Sequence, residues 1–223
     1  MKNTNWNSPT VQKYQQTIRN KIPGYDLMYE QMLAIIEASL APQELLIVGA
    51  GGGQELLILG NRYPQAFYTA LDPSENMLEL ARKRISYVSL KVDWQETTLD
   101  NISIKKQYDV VTCHLVLHFL KEEKEAFLEQ ISKKVKPEGL LFISAIMEEE
   151  KTKTLPFWIQ HMKFYNISVA DCERFAASFN KTTHPLPTSM LQKILQRNGY
   201  ETIIPYFKSY AIEAYVAKKG VKT

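Results

Sequence analysis

Cysteine is nearly missing from this chain of 223 residues: Cys113 and Cys172 are the only two. They lie far apart, and no CxxC occurs, so neither a disulfide framework nor a thiolate metal site is expected. That usage suits a reducing cytoplasm, the predicted location. No run of eighteen apolar residues exists, and the first ten residues are polar, without a signal-peptide core. Secretion by that route and a membrane span are therefore not expected. A large excess of one charge is absent too, since 27 Lys and Arg face 24 Asp and Glu for a net charge of +3. The basic clusters Arg82-Lys83-Arg84, Lys133-Lys134-Val135-Lys136 and Lys218-Lys219 are scattered and read as solvated faces rather than a nucleic-acid surface. Internal repeats and low-complexity stretches are missing, which excludes a solenoid. What remains, at 45% hydrophobic residues, suffices for one well-buried domain but is too short for two ample ones.

Glycine is also scarce, yet four of the nine fall within five residues, at 49, 51, 52 and 53. They interrupt Leu45-Leu46-Ile47-Val48, an apolar run that reads as a buried parallel strand, and precede the helix-like Gln54-Glu55-Leu56-Leu57-Ile58-Leu59. Glycines here let backbone approach a ligand too closely for any Cβ, and the helix start offers free N–H groups. A dinucleotide pattern would need Gly or Ala at position 54, which is Gln54, and a P-loop would need a lysine after Gly53. Asp72 ends a second strand nineteen residues beyond Gly53. That spacing suits a carboxylate receiving a ribose diol, so the ligand carries an unphosphorylated ribose.

A third strand over 87–92 is expected to end in Asp93-Trp94, an acceptor and an aromatic face for an adenine. A fourth over 107–113 leads into His114 and His118, then a helix over 121–136 and the turn Lys136-Pro137-Glu138-Gly139 before a fifth strand over 139–145. With its GxGxG loop, the acids after strands two and three, Tyr108-Asp109-Val110-Val111 and this KPEG turn, the chain resembles the class I S-adenosylmethionine-dependent methyltransferases, in particular their small-molecule branch. The resemblance covers roughly 44–146 and the closing strands. One departure is Ile47, where the family usually has an acid; Glu55 is the nearest substitute.

The resemblance implies an α/β, Rossmann-like, doubly wound seven-stranded sheet, mostly parallel, with an antiparallel C-terminal hairpin and a helical lid. Alternating strand and helix patterns support the parallel part on their own. One domain over 1–223 is expected: an N-terminal helical cover (1–40), a cofactor-binding core (44–146), a helical cap (147–187), and a last helix with the hairpin (188–223). The hairpin strands are placed at 201–207 and 210–217, joined by Lys208-Ser209. S-adenosylmethionine is the expected cofactor and S-adenosylhomocysteine its product. Gly49, Ala50, Gly51, Gly53, Glu55, Asp72, Pro73, Met77, Asp93, Trp94, His114 and Tyr25 are the expected binding residues.

Methyl transfer needs little beyond alignment, exclusion of water and removal of a proton. His114 and His118 stand where the fourth strand opens, and an unperturbed histidine pKa of about 6.5 qualifies either as a base. The cap is rich in aromatics, among them Phe157, Trp158, Phe164 and Tyr165, which points to a closed pocket and a small or mid-sized acceptor. Two other classes stay open. Ile22-Pro23-Gly24-Tyr25 is similar to a segment of the tRNA wobble-uridine oxyacetate-pathway enzymes, which favours a tRNA-modifying methyltransferase. A nonmethylating synthase or a cofactor-binding protein is the other, and a synthase would draw its extra cation from Arg19 or Lys208.

Overall fold

The structure is a computed structural model that describes Trp6 and residues 13–103 and 105–221. Residues 1–5 and 7–12 of the expected N-terminal cover, Ile104, and residues 222–223 after the hairpin lie outside the described residues. Helices α1 (Tyr14–Lys21) and α2 (Tyr25–Ser39) come first. Then follow β1 (Glu44–Val48), α3 (Gln54–Arg62), β2 (Phe67–Asp72), α4 (Glu75–Arg84), β3 (Lys91–Glu96), β4 (Tyr108–His114), α5 (Lys124–Lys134) and β5 (Val135–Ile146). The cap comprises α6 (Glu148–Phe164) and α7 (Val169–Ser178), and the chain closes with α8 (Thr188–Arg197), β6 (Tyr200–Ser209) and β7 (Ile212–Lys219).

The seven strands form one sheet in the order β3-β2-β1-β4-β5-β7-β6. The pairs from β3 through β5 are parallel, and β7 is antiparallel to both β5 and β6. Leu45, Leu46 and Ile47 of β1 are fully buried, because helices cover both faces of the sheet and leave no solvated side for polar residues. One face packs Met28, Met32 and Ile36 of α2, Leu56 and Leu59 of α3, and Leu78 and Ala81 of α4. The other packs Leu128 and Ile131 of α5 with Leu191, Ile194 and Leu195 of α8. Both cysteines are buried and free, and no described helix is long and apolar enough to cross a membrane.

Three expected boundaries move. β3 starts four residues later than the apolar run suggested, because the stretch after α4 closes as a turn in which Val88 N–H donates to Ile85 O at 2.9 Å. Asp93 and Trp94 consequently pair with Thr69 and Ala70 inside the sheet instead of ending the strand. The KPEG segment belongs to β5 as a bulge: Tyr108 pairs with Val135, but Val110 pairs with Leu140, and Glu138 adopts φ 65°. The hairpin turns at Tyr210-Ala211 rather than Lys208-Ser209, with Tyr210 at φ 51°.

The basic clusters are not all solvated faces. Lys134 is buried and donates to Ile102 O at 3.2 Å, while Lys136 pairs with Asp109 at 2.8 Å and Lys218 with Glu138 at 2.6 Å. Arg84 is half-buried behind the glycine loop, where it donates to Gly52 O at 3.1 Å and to Gln54 Oε1. These residues fasten chain segments, which a string of charges in sequence does not disclose.

Candidate active site

The carboxyl ends of β1, β2 and β4 open on one cavity. Its glycine loop is held by tight spacing. Gly49 adopts φ 74°, and a Cβ there would sit 2.3 Å from Val116 Cγ2; at Gly51 a Cβ would stand 2.6 Å from Met77 Cε and 2.8 Å from Asp72 Oδ2. A larger residue at either position would force those side chains to shift. Ala50 N–H donates to Leu71 O at 2.7 Å and Gly53 N–H to Ala50 O at 3.0 Å, so Ala50 and Gly53 shape the loop from behind while Gly49 and Gly51 line the cavity.

Asp72 accepts from Gly51 N–H at 3.0 Å through Oδ2 and from Ser74 N–H at 2.9 Å through Oδ1. Burial raises its carboxyl to about 6, partly opposed by those two N–H groups. A carboxylate so placed still has lone pairs for a hydroxyl donor. Pro73 and Met77 follow it on the cavity wall. Ser74 caps α4, its hydroxyl accepting from Met77 N–H.

On the β3 side the lining residues are Thr97, Thr98 and Leu99. Asp93 and Trp94 are absent from the wall: the Asp93 carboxylate accepts from Gln95 Nε2 at 2.9 Å, and the Trp94 ring carries the Arg82 guanidinium 5.1 Å from its centroid. The strand continues two residues past Trp94 and delivers Thr97 to Leu99 to the cavity.

His114 ends β4 and lines the cavity, with Nδ1 3.0 Å from Ser144 Oγ and Nε2 3.4 Å from Met32 Sδ. Burial lowers its pKa to about 3. His118 is buried in a single 3-10 turn and is absent from the wall; its carbonyl accepts from His184 N–H at 2.7 Å. Its pKa also falls to about 3, through burial first and the Lys124 ammonium second. Desolvation disfavours the imidazolium at both positions. Between them Leu115 adopts φ 58°, an uncommon conformation for a side chain of that type, and turns the chain into the cavity.

Tyr25 is buried at the start of α2, after Gly24 at φ 73°, and stacks edge-on to Tyr29 at 5.1 Å. It does not reach the cavity; Tyr14 does. Burial raises the phenols of Tyr14, Tyr25 and Tyr29 above their ordinary range. Glu55 is buried in the first turn of α3 and is absent from the cavity wall. Arg19 is committed to Asp26 through two bonds of 2.8 Å, and Lys208 pairs with Glu213 at 3.0 Å, so neither stands ready for an added carboxylate.

Trp6, Tyr14, Phe119 and Phe127 complete an aromatic wall. Trp6 meets Tyr14 and Phe119 edge-on at 5.8 and 5.7 Å. The free space is about 90 Å³, well under the roughly 300 Å³ at the lower end for small-molecule sites. Sequence reasoning missed Tyr14, since α1 carries no buried stripe to mark its inner face. It missed Thr97 to Leu99 because the strand end was placed early.

Residues 46–141 match a family model described as a methyltransferase domain. The ubiquinone biosynthesis O-methyltransferase of Rickettsia bellii is 34% identical over 113 residues, 50% of this chain and 45% of that protein. The chain thus covers less than half the length of that relative. An uncharacterized protein of Rickettsia prowazekii is 24% identical over 194 residues, 85% of this chain and 73% of its own length. Among solved structures, magnesium protoporphyrin IX methyltransferase from Synechocystis PCC 6803 with bound SAH shares the fold at a TM-score of 0.72, with 16% identity and 96% of each chain covered. The family model thus spans less than half of the chain, and the solved structure shares its fold.

Proposed function

We propose that the chain is an S-adenosylmethionine-dependent methyltransferase that methylates a small or mid-sized acceptor, with oxygen as the acceptor atom. The carrying observation is the joint geometry of Asp72 and Gly51: a buried carboxylate faces a loop in which a Cβ would collide at 2.8 Å, so backbone and carboxylate together form a cradle only glycine permits. Asp72 would hold the ribose diol, Gly49 and Gly51 the methionine portion, and Met77 with Leu99 the faces of the adenine. The described lining residues include no lysine or arginine. Such a wall disfavours the phosphates of NAD or ATP and accepts a sulfonium. When bound, the cofactor supplies an electrophilic methyl group. His114 and Tyr14 then offer neutral hydrogen-bonding groups where the acceptor would be oriented, and the aromatic wall excludes water. The name of the Rickettsia bellii relative, an O-methyltransferase, supports oxygen over nitrogen. Calorimetry with S-adenosylmethionine, S-adenosylhomocysteine, NAD and ATP tests the reading. Binding of the first two alone is expected; tight NAD binding without a response to S-adenosylhomocysteine overturns it.

A further inference from the structure

His114 and Ser144 face each other at the last pair of the parallel β4 and β5 ladder, and both are buried, Ser144 completely. Ser144 Oγ accepts from Leu115 N–H at 3.1 Å and lies 3.0 Å from His114 Nδ1. The same Leu115 N–H also donates to Ser144 O at 2.9 Å. Among the described residues the Ser144 hydroxyl has no further hydrogen-bond partner, and on the far side of the imidazole Nε2 meets only the Met32 thioether, at 3.4 Å.

A neutral imidazole carries one proton, and the hydrogen bond made by one nitrogen decides which of the two holds it. With the proton on Nδ1, Ser144 Oγ accepts twice, its own buried hydrogen meets no acceptor, and the Nε2 lone pair confronts a sulfur that has no hydrogen to give. The imidazolium strands the same hydroxyl hydrogen. With the proton on Nε2 every group is used: Leu115 N–H donates to Ser144, the Ser144 hydroxyl donates to Nδ1, and Nε2–H donates to the Met32 sulfur. Only this arrangement leaves no buried donor unmatched.

The same serine also holds the turn that follows. Leu115 adopts φ 58°, and its N–H is fastened to Ser144 through both carbonyl and hydroxyl oxygens. Leu115 and Val116 line the cavity with His114, and Val116 packs over Gly49 of the glycine loop. On the reading that S-adenosylmethionine occupies the cradle, we propose that Ser144 is a positioning residue of the site: it fixes His114 as the Nε2–H tautomer, with the Nδ1 lone pair engaged, and pins the Leu115 turn beside it. The imidazole on the cavity wall then has no free lone pair with which to take the acceptor's proton. It serves as a hydrogen-bond donor.

Nitrogen-15 NMR of histidine-labelled protein at pH 7 reads the tautomer directly, because protonated and bare ring nitrogens resonate far apart. The chain has four histidines, and His114→Gln identifies the His114 signals by their loss. In the wild-type protein Nε2 of His114 should be protonated and Nδ1 bare. Ser144→Ala should raise the share of the Nδ1–H form about tenfold, since it removes one buried hydrogen bond, whereas Ser144→Thr, which keeps the hydroxyl, should retain the wild-type pattern. A wild-type His114 protonated on Nδ1 overturns the proposal even if the alanine variant does not fold, and so does an unchanged tautomer in folded Ser144→Ala. Calorimetry with S-adenosylhomocysteine on the same wild-type sample checks the cofactor reading separately: no binding by a protein whose His114 is in the Nε2–H form overturns that reading alone.

Discussion

Replacing Asp72 with asparagine should remove a pH dependence from the stability of the free protein while damaging its ligand site. Burial raises the Asp72 carboxyl from 3.8 to about 6, so the folded state holds the proton more tightly than the unfolded chain. A raised carboxylate pKa contributes stability that is fully present below the unfolded value and is lost as pH rises through the folded one. A shift of about two units corresponds to about 3 kcal/mol lost between roughly pH 4 and pH 6. Asparagine has no such loss, but its amide can accept from only one of Gly51 N–H and Ser74 N–H, whereas Asp72 accepts from both at 3.0 and 2.9 Å. Leaving one buried donor facing an NH₂ costs about 1–3 kcal/mol. The variant should therefore be less stable than wild type near pH 4 and equal or more stable above pH 6, the difference rising by about 3 kcal/mol across that window. Urea unfolding at half-unit pH steps measures it. S-adenosylhomocysteine affinity should fall at least tenfold at pH 7, since a charge-assisted hydrogen bond is worth about 1.5–3 kcal/mol. Parallel stability curves would refute the electrostatic account, and unchanged affinity would remove Asp72 from the ligand site.

Two further outcomes follow from the same geometry. Asp93→Ala should leave S-adenosylhomocysteine affinity within twofold of wild type while Leu99→Ala weakens it several-fold, as titration calorimetry can read; a marked loss for Asp93→Ala would restore the earlier strand-end assignment. Trp158 Nε1 donates to Lys21 O at 2.6 Å and so ties the cap to the segment before Ile22-Pro23-Gly24-Tyr25. Hydrogen exchange should accordingly show S-adenosylhomocysteine protecting residues 22–25 and 155–165 together, and equal protection with and without ligand would mean that neither segment is a moving cover.

The alternation of strands and helices, the glycine loop and Asp72 were legible in the sequence because each is a local consequence of residue type. A strand covered on both faces must be continuously apolar, as Leu45, Leu46 and Ile47 are, and a backbone that collides with any Cβ must be glycine, as at Gly49 and Gly51. A carboxylate after β2 is likewise a matter of counting. What tertiary structure alone decided is where polar and aromatic groups from distant segments meet. β3 could have ended at Val92 or at Glu96, and only its pairing with β2, Asp72 opposite Glu96, moved the crevice from Asp93 to Thr97 and Leu99. Local sequence also put His114 and His118 near the end of β4, but the burial that lowers both imidazoles comes from the packing around them. Tyr14, from a helix with no patterned face, reaches the cavity wall only through the packing of α1. Desolvation is a property of the whole surround, and no stretch of sequence carries it.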